Sequence, residues 1–288
     1  MGPVTSISRR SPLRYPGGKS RAVELLLRFL PEQPGLLNSV FFGAGWVELA
    51  AEARGWKVIG YDANGSLVDF WQVLLTGPHA LADAVDKYFP LPAERFYELQ
   101  RSNFDSQLES AAAFYALNRT SFNGTTRSGG MSRGHDRFTG SSIEPLRRFR
   151  APNLWVERAD FRESIRLHPE ALLLLDPPYP NSARLYGRRG DLHAGFDHQC
   201  LCDLLRSRDH WILSYSDCRE VRALYDGYTI LPLRWKYGMN RNKNASEIVI
   251  LSHDLAERGK KQVAPSPRSA DWTWLHTELE AGRQEAIR

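Results

Sequence analysis

The chain has 288 residues, 42% of them hydrophobic and 25% charged, a balance that excludes wholesale disorder and leaves room for one large α/β core. Its net charge of +5 and pI near 9.1 favour a polyanionic partner. Three cysteines (Cys200, Cys202, Cys218) are too few for a disulfide framework, no apolar run approaches the ~18 residues of a membrane helix, and Met1–Arg10 has no apolar signal core, so a soluble cytoplasmic protein is expected.

In chain order, Ala22, Leu25, Leu26 and Phe29 recur at helical spacing and predict a helix over 21–30, closed by Pro31 and Pro34. Residues 38–42 read as a buried strand running into Gly43-Ala44-Gly45. A helix follows over 46–54 with Gly55 as its C-cap, then a strand over 57–61 ending at Asp62, and a helix over 66–75. Strand, glycine turn, helix, strand is the opening of a doubly wound α/β fold.

From Gly77 the rhythm changes. Helical stretches over 80–88, 93–101 and 110–118 give way to a loop-rich segment over 120–142, rich in glycine and arginine, which marks an insert. The α/β pattern returns after Asn153, with strands over 154–157, 171–175, 211–214, 228–233 and 247–252 and a helix over 198–206. A charged end begins at Glu257, and an amphipathic helix is predicted over 272–286. Cys200, Cys202 and His198 do not make a metal site, since residues two apart on a helix point to different faces and no second cysteine pair exists. No metal is expected.

The most specific motif is Asp176-Pro177-Pro178-Tyr179, directly after an all-apolar strand. Loops beyond the carboxyl ends of parallel strands are where open α/β sheets bind ligands. The two prolines stiffen the backbone, so the Asp176 carboxylate and the Pro177 carbonyl become fixed acceptors. Two aimed acceptors beside an aromatic ring suit a planar heterocycle bearing an NH2 group, with Tyr179 stacking on it. The bland alternative is a turn that merely reads this way. The glycine turn Phe42-Gly43-Ala44-Gly45 allows close backbone approach to a cofactor, and Asp62 can accept from ribose hydroxyls, although it is equally suited to capping the next helix. Arg14-Tyr15-Pro16-Gly17-Gly18-Lys19 exposes backbone N–H groups and a cation to an anion. It lacks the glycine spacing of a Walker A loop.

Taken in order, RYPGGK, FFGAG, Asp62, NRTSFNG (118–124), ADF (159–161) and DPPY resemble the DNA adenine methylase family (Dam-like, D12 class) over about residues 12–252. The resemblance implies a Rossmann-like methyltransferase doubly wound sheet with a mostly helical DNA-recognition insert. It implies S-adenosylmethionine as cofactor, a monomer acting on double-stranded DNA without metal or membrane, and methylation of adenine N6 after base flipping. The division expected is 12–76 plus 152–255 for cofactor and catalysis, 77–151 for target recognition and 256–288 for a tail. By the same resemblance Tyr15, Lys19, Asp62 and Asp176 contact the cofactor, and Asp160 and Phe161 flank its adenine.

Arg119, Asn123, Arg127, Arg133 and Arg137 of the insert, with Arg188 of a second basic loop, are the expected DNA contacts, and phosphate contact suits such arginines better than base readout. Asp136-Arg137-Phe138-Thr139-Gly140 departs from the family's Phe-Asn-x-Pro element, so the target sequence stays open. N4-cytosine methylation and a catalytically silent DNA-binding relative stay open as well.

Overall fold

The computed structural model describes residues 10–14, 19, 22–132, 137–180, 195–233 and 247–261. Tyr15, Arg133, Arg188 and the helix predicted over 272–286 lie outside the described residues. The elements run α1 (Val23–Leu27), β1 (Leu36–Ser39), α2 (Trp46–Glu52), β2 (Lys57–Asp62), α3 (Gly65–Thr76), α4 (Pro78–Asp86), α5 (Ala93–Arg101) and α6 (Gln107–Thr120). They continue with α7 (Gly140–Arg147), β3 (Leu154–Arg158), α8 (Phe161–Leu167), β4 (Leu172–Leu175), α9 (His198–Arg206), β5 (Trp211–Ser216), α10 (Arg219–Leu224), β6 (Thr229–Leu233), β7 (Glu247–Leu251) and α11 (His253–Lys261).

The seven strands form one sheet in the order β3-β2-β1-β4-β5-β7-β6. The first five are parallel, and β7 inserts antiparallel between β5 and β6. Among the five parallel strands chain order runs outward in both directions from β1 and β4, so the crevice for a ligand opens where these two strands end. This is the doubly wound, Rossmann-like sheet expected from the sequence.

Side-chain alternation divides the core in two. Leu172, Leu174, Ile212, Val249 and Leu251 face the layer of α1–α7 and α11. Leu173, Leu175, Trp211, Leu213, Tyr215, Ile248 and Ile250 face α8, α9 and α10. Segment 77–151 shares the first of these cores: Phe70 of α3 stacks on Tyr115 of α6 with centroids 5.6 Å apart, and Leu81, Phe96 and Ile143 join the same cluster. Among the described residues no helix is long and apolar enough to cross a membrane.

Several boundaries differ from expectation for identifiable reasons. The first helix is short because Arg28, Phe29 and Leu30 each bond three residues back, tightening the turn ahead of Pro31. The first strand begins two residues early, while Val40 and Phe42 still bond Leu174 and Tyr61 outside it. Helix α7 emerges from the predicted loop because Thr139 and Ser142 form a reciprocal cap. Helices α8, α10 and α11 have fewer than ten residues each, too short for periodicity alone to reveal.

One contact fixes the geometry of the glycine turn. The Phe42 ring lies flat over Gly60 of β2, where an added Cβ would fall 2.1 Å from the ring, and meets Trp71 edge-on at 5.2 Å. Gly60→Ala is therefore expected to destabilise the fold by about 1–3 kcal/mol through overpacking. Urea unfolding checks this; an unchanged midpoint would contradict it.

Candidate active site

Every group of the site lies at the end of the sheet where the parallel strands finish. Gly43 follows β1, Asp62 ends β2, Asp160 follows β3 and Asp176 follows β4. Antiparallel β7 starts at this same end, so Glu247 joins them opposite Ser216. Asp176, Ser214 and Glu247 share parity with Leu174, Ile212 and Val249 and therefore face the α1 side.

Lys19 is the hub. Its ammonium lies 2.7 and 2.9 Å from the two Asp176 oxygens, 2.5 Å from the Tyr179 hydroxyl and 3.4 Å from Glu247 Oε2. Tyr179 donates toward Asp176 Oδ1 at 3.2 Å and Glu247 Oε2 at 3.1 Å. Ser214 Oγ donates to Asp176 Oδ1 at 2.9 Å. Burial opposes the charge on Lys19, but Asp176 and Glu247 outweigh it and hold the ammonium above the usual lysine range. Burial, reinforced by the two carboxylates, pushes the Tyr179 phenol well above its ordinary value, so it stays a neutral donor.

Beside the glycine turn, Asp62 accepts from the backbone N–H of Gly43 at 3.0 Å and of Asn64 at 2.9 Å. Burial raises its carboxyl above the ordinary value, against those two hydrogen bonds. Gly45 has φ +64°, and a Cβ there would meet the Phe42 ring at 2.8 Å, so this turn requires glycine. Phe42 itself points into the core and can offer a ligand only its backbone. The aromatic groups near the turn are instead Phe41, Phe161 and Phe196, with ring centroids 5.0–6.0 Å apart. Asp160 caps α8 through Arg162 N and pairs with the Arg162 guanidinium.

The insert residues divide into two groups. Arg14, Arg119 and Arg137 converge: Arg119 Nε donates to the Arg137 carbonyl at 2.8 Å, and burial, then the charges of Arg137 and Arg119, lowers the Arg14 pKa. No carboxylate pairs with any of the three among the described residues. Phe122 (63% exposed) and Asn123 form the tip of a turn closed by the Ser121–Met131 bridge. Arg127, by contrast, donates to the Ser102 carbonyl at 3.0 Å and packs over Phe104. Asn118 is fully buried and ties the insert to the segment leading to Lys19, accepting from Arg14 N at 3.0 Å and donating to the Arg14 carbonyl. Gly124 allows that approach, since a Cβ there would meet the Arg14 carbonyl oxygen at 2.1 Å. In the segment that departs from the family pattern, Phe138 is a core residue and Thr139 a helix cap.

Sequence reasoning missed Glu247, Ser214 and Glu48. Glu48 of α2 is buried and accepts from Ser39 Oγ at 2.7 Å. Desolvation, with a smaller push from Asp176, raises its carboxyl to about 7. In the unfolded chain it ionises near 4.5, so the stability held by the neutral carboxyl is complete below that pH and is lost as pH rises through 7. Glu48→Gln stays neutral and is expected to be the more stable protein above neutral pH, by about 3 kcal/mol at most. Melting curves on the two sides of this window check it; a difference independent of pH would contradict it.

The family described as D12 class N6 adenine-specific DNA methyltransferase matches residues 15–239. The chain is 28% identical over 254 residues to the DNA N-6-adenine-methyltransferase of Escherichia phage P1, a match covering 78% of this chain and 32% of that longer protein. It is 25% identical over 257 residues to the DNA adenine methylase of two Vibrio cholerae serotype O1 strains, covering 81% of this chain and 91% of each of theirs. The extent of the family match, over the same span that holds the Lys19–Asp176 cluster and the glycine turn, means that the chain belongs to the D12 class N6 adenine-specific DNA methyltransferase family.

Proposed function

We propose that this chain transfers a methyl group from S-adenosylmethionine to N6 of an adenine extruded from double-stranded DNA. The observation that carries this reading is the pair of acceptors behind β4. Among the described residues Asp176 Oδ2 accepts only from Lys19, and none donates to the Pro177 carbonyl. Once the Lys19 bond to Oδ2 loosens, these two acceptors match the two hydrogens of an exocyclic amine. Accepting both draws the N6 lone pair out of ring conjugation and aims it for attack, and holding the reactants in line supplies much of the rate. Extruding the base costs a few kcal/mol, which stacking on the Tyr179 ring offsets.

The donor set suits the cofactor. Each Asp62 oxygen accepts one backbone N–H and keeps a lone pair for a ribose hydroxyl. Gly43 brings bare backbone close, and Phe41, Phe161 and Phe196 offer an aromatic wall for a purine. When bound, the cofactor supplies an already activated methyl, so the protein needs no strong base before attack.

Segment 77–151 is the proposed target-recognition region. The Arg14–Arg119–Arg137 cluster, which no carboxylate pairs among the described residues, suits DNA phosphates, and Phe122 with Asn123 is exposed to meet bases beside the extruded one. The acting form proposed is a monomer, and the free thiols suit a reducing cytoplasm.

Asp176→Ala is expected to lower methyl transfer by about 10³-fold or more and to cost stability, because it strips the buried Lys19 of its main partner, while the folded protein keeps DNA affinity near wild type. Transfer of label from S-adenosylmethionine, followed by digestion of the DNA to nucleosides, tests this. N6-methyladenine is the expected product; N4-methylcytosine, or an active Asp176→Ala protein, would refute the reading. DNA affinity should also fall steeply with salt, and Arg119→Ala with Arg137→Ala should reduce the log–log slope by about 2. An unchanged slope would remove this cluster from the DNA surface.

A further inference from the structure

Glu247 opens β7, apart from the Asp176–Tyr179 motif and the glycine turn, yet it completes a closed ring of polar groups. Asp176, Tyr179, Glu247 and Lys19 follow one another at 3.2, 3.1, 3.4 and 2.7 Å. Its side chain is 13% exposed, and its neighbours across the sheet, Ser216 of β5 and Leu233 of β6, carry no charge. Among the described residues the titratable groups that act on it are Lys19, Asp176 and Tyr179, and Glu48 of α2 in turn feels the charge of Asp176.

What this second carboxylate does follows from the reading of Asp176 as the acceptor for the adenine amine, on which the inference rests. In the free protein Lys19 bonds both Asp176 oxygens. For Oδ2 to take an amine hydrogen, the Lys19 bond to it must loosen. A buried ammonium deprived of its partner carries a large desolvation penalty, so the exchange needs another anion already within reach. We propose that Glu247 is a positioning residue that keeps Lys19 and the Tyr179 hydroxyl paired while Asp176 turns its carboxylate to the substrate amine. Without it, Lys19 closes fully on Asp176 and competes with the substrate for the same oxygen.

The site should therefore need Glu247 ionised. Burial first, then repulsion from Asp176, raises its carboxyl above the ordinary glutamate range, with Lys19 opposing. Protonation there removes the second partner just as glutamine would. Wild-type methyl transfer should accordingly decline on the acid side at a pH above the ordinary carboxylate range.

The test compares wild type, Glu247→Gln, Glu247→Asp and Glu48→Gln in methyl transfer to plasmid DNA from mildly acid to alkaline pH, with melting curves and DNA affinity alongside. Glu247→Gln is expected to fold, to bind DNA as wild type does and to lose kcat by about 10²-fold. Its acid decline should be absent, and Glu247→Asp should recover part of the rate. Wild-type turnover in Glu247→Gln, or an acid decline that persists in it and disappears in Glu48→Gln, would overturn the inference. Should Glu247→Gln fail to fold, Glu247→Asp decides: a lowered kcat at unchanged KM supports the role, and a wild-type rate overturns it. An inactive wild type would bring down the Asp176 reading and this inference with it, whereas an active wild type matched by Glu247→Gln would overturn this inference alone.

Discussion

The structure around the site depends on one buried ammonium. Lys19 joins three pieces of chain that the fold brings together from far apart: the N-terminal segment, the loop after β4 and the first residue of β7. A lysine held this deep from water is tolerated only when paired. Its partners Asp176 and Glu247, in turn, repel each other, and the ammonium between them offsets that repulsion. The three charges are stable as a set, and the neutral Tyr179 and Ser214 hydroxyls fill lone pairs that would otherwise be left bare. The arrangement holds Asp176 in one place yet leaves Oδ2 and the Pro177 carbonyl with capacity to accept.

The same logic links segment 77–151 to the ammonium. Asn118 stands at the end of α6, where the insert begins its exposed turn, and its amide grips the backbone of Arg14. Lys19 is five residues further on. The insert is thus not an appendage: it shares a core with α3 through Phe70 and Tyr115, and its first loop fixes the start of the segment that carries the ammonium. A cation cluster facing outward at Arg14, Arg119 and Arg137 lies on the same short path.

Much of this was legible in the sequence because it is encoded locally. Asp176-Pro177-Pro178-Tyr179 follows four consecutive leucines, and the glycine turn lies between an apolar strand and a helix, so both announce their position at strand ends. What could not be read depends on pairing. Glu247 belongs to the site because β7 runs antiparallel, placing its first residue where the parallel strands finish, and nothing in Glu247-Ile248-Val249-Ile250 states a direction. Phe42 has the position expected of a cofactor contact, but strand parity sends its ring over Gly60 and leaves Phe41 on the other side. Arg127 looked like a free cation among glycines, yet the fold turns it to the Ser102 carbonyl. Short helices such as α8 depend on a single cap, Asp160, more than on any apolar period.

The central claim is that Asp176 and the Pro177 carbonyl together grip both hydrogens of a base-borne amine. A crystal structure of the protein with DNA and S-adenosylhomocysteine tests it most directly. The account predicts an adenine outside the helix stack with N6 about 3 Å from Asp176 Oδ2 and from the Pro177 oxygen, and with Lys19 drawn toward Glu247. An adenine left in the stack, or one bound with N6 turned away from Asp176 while Lys19 keeps both of its oxygens, would contradict it.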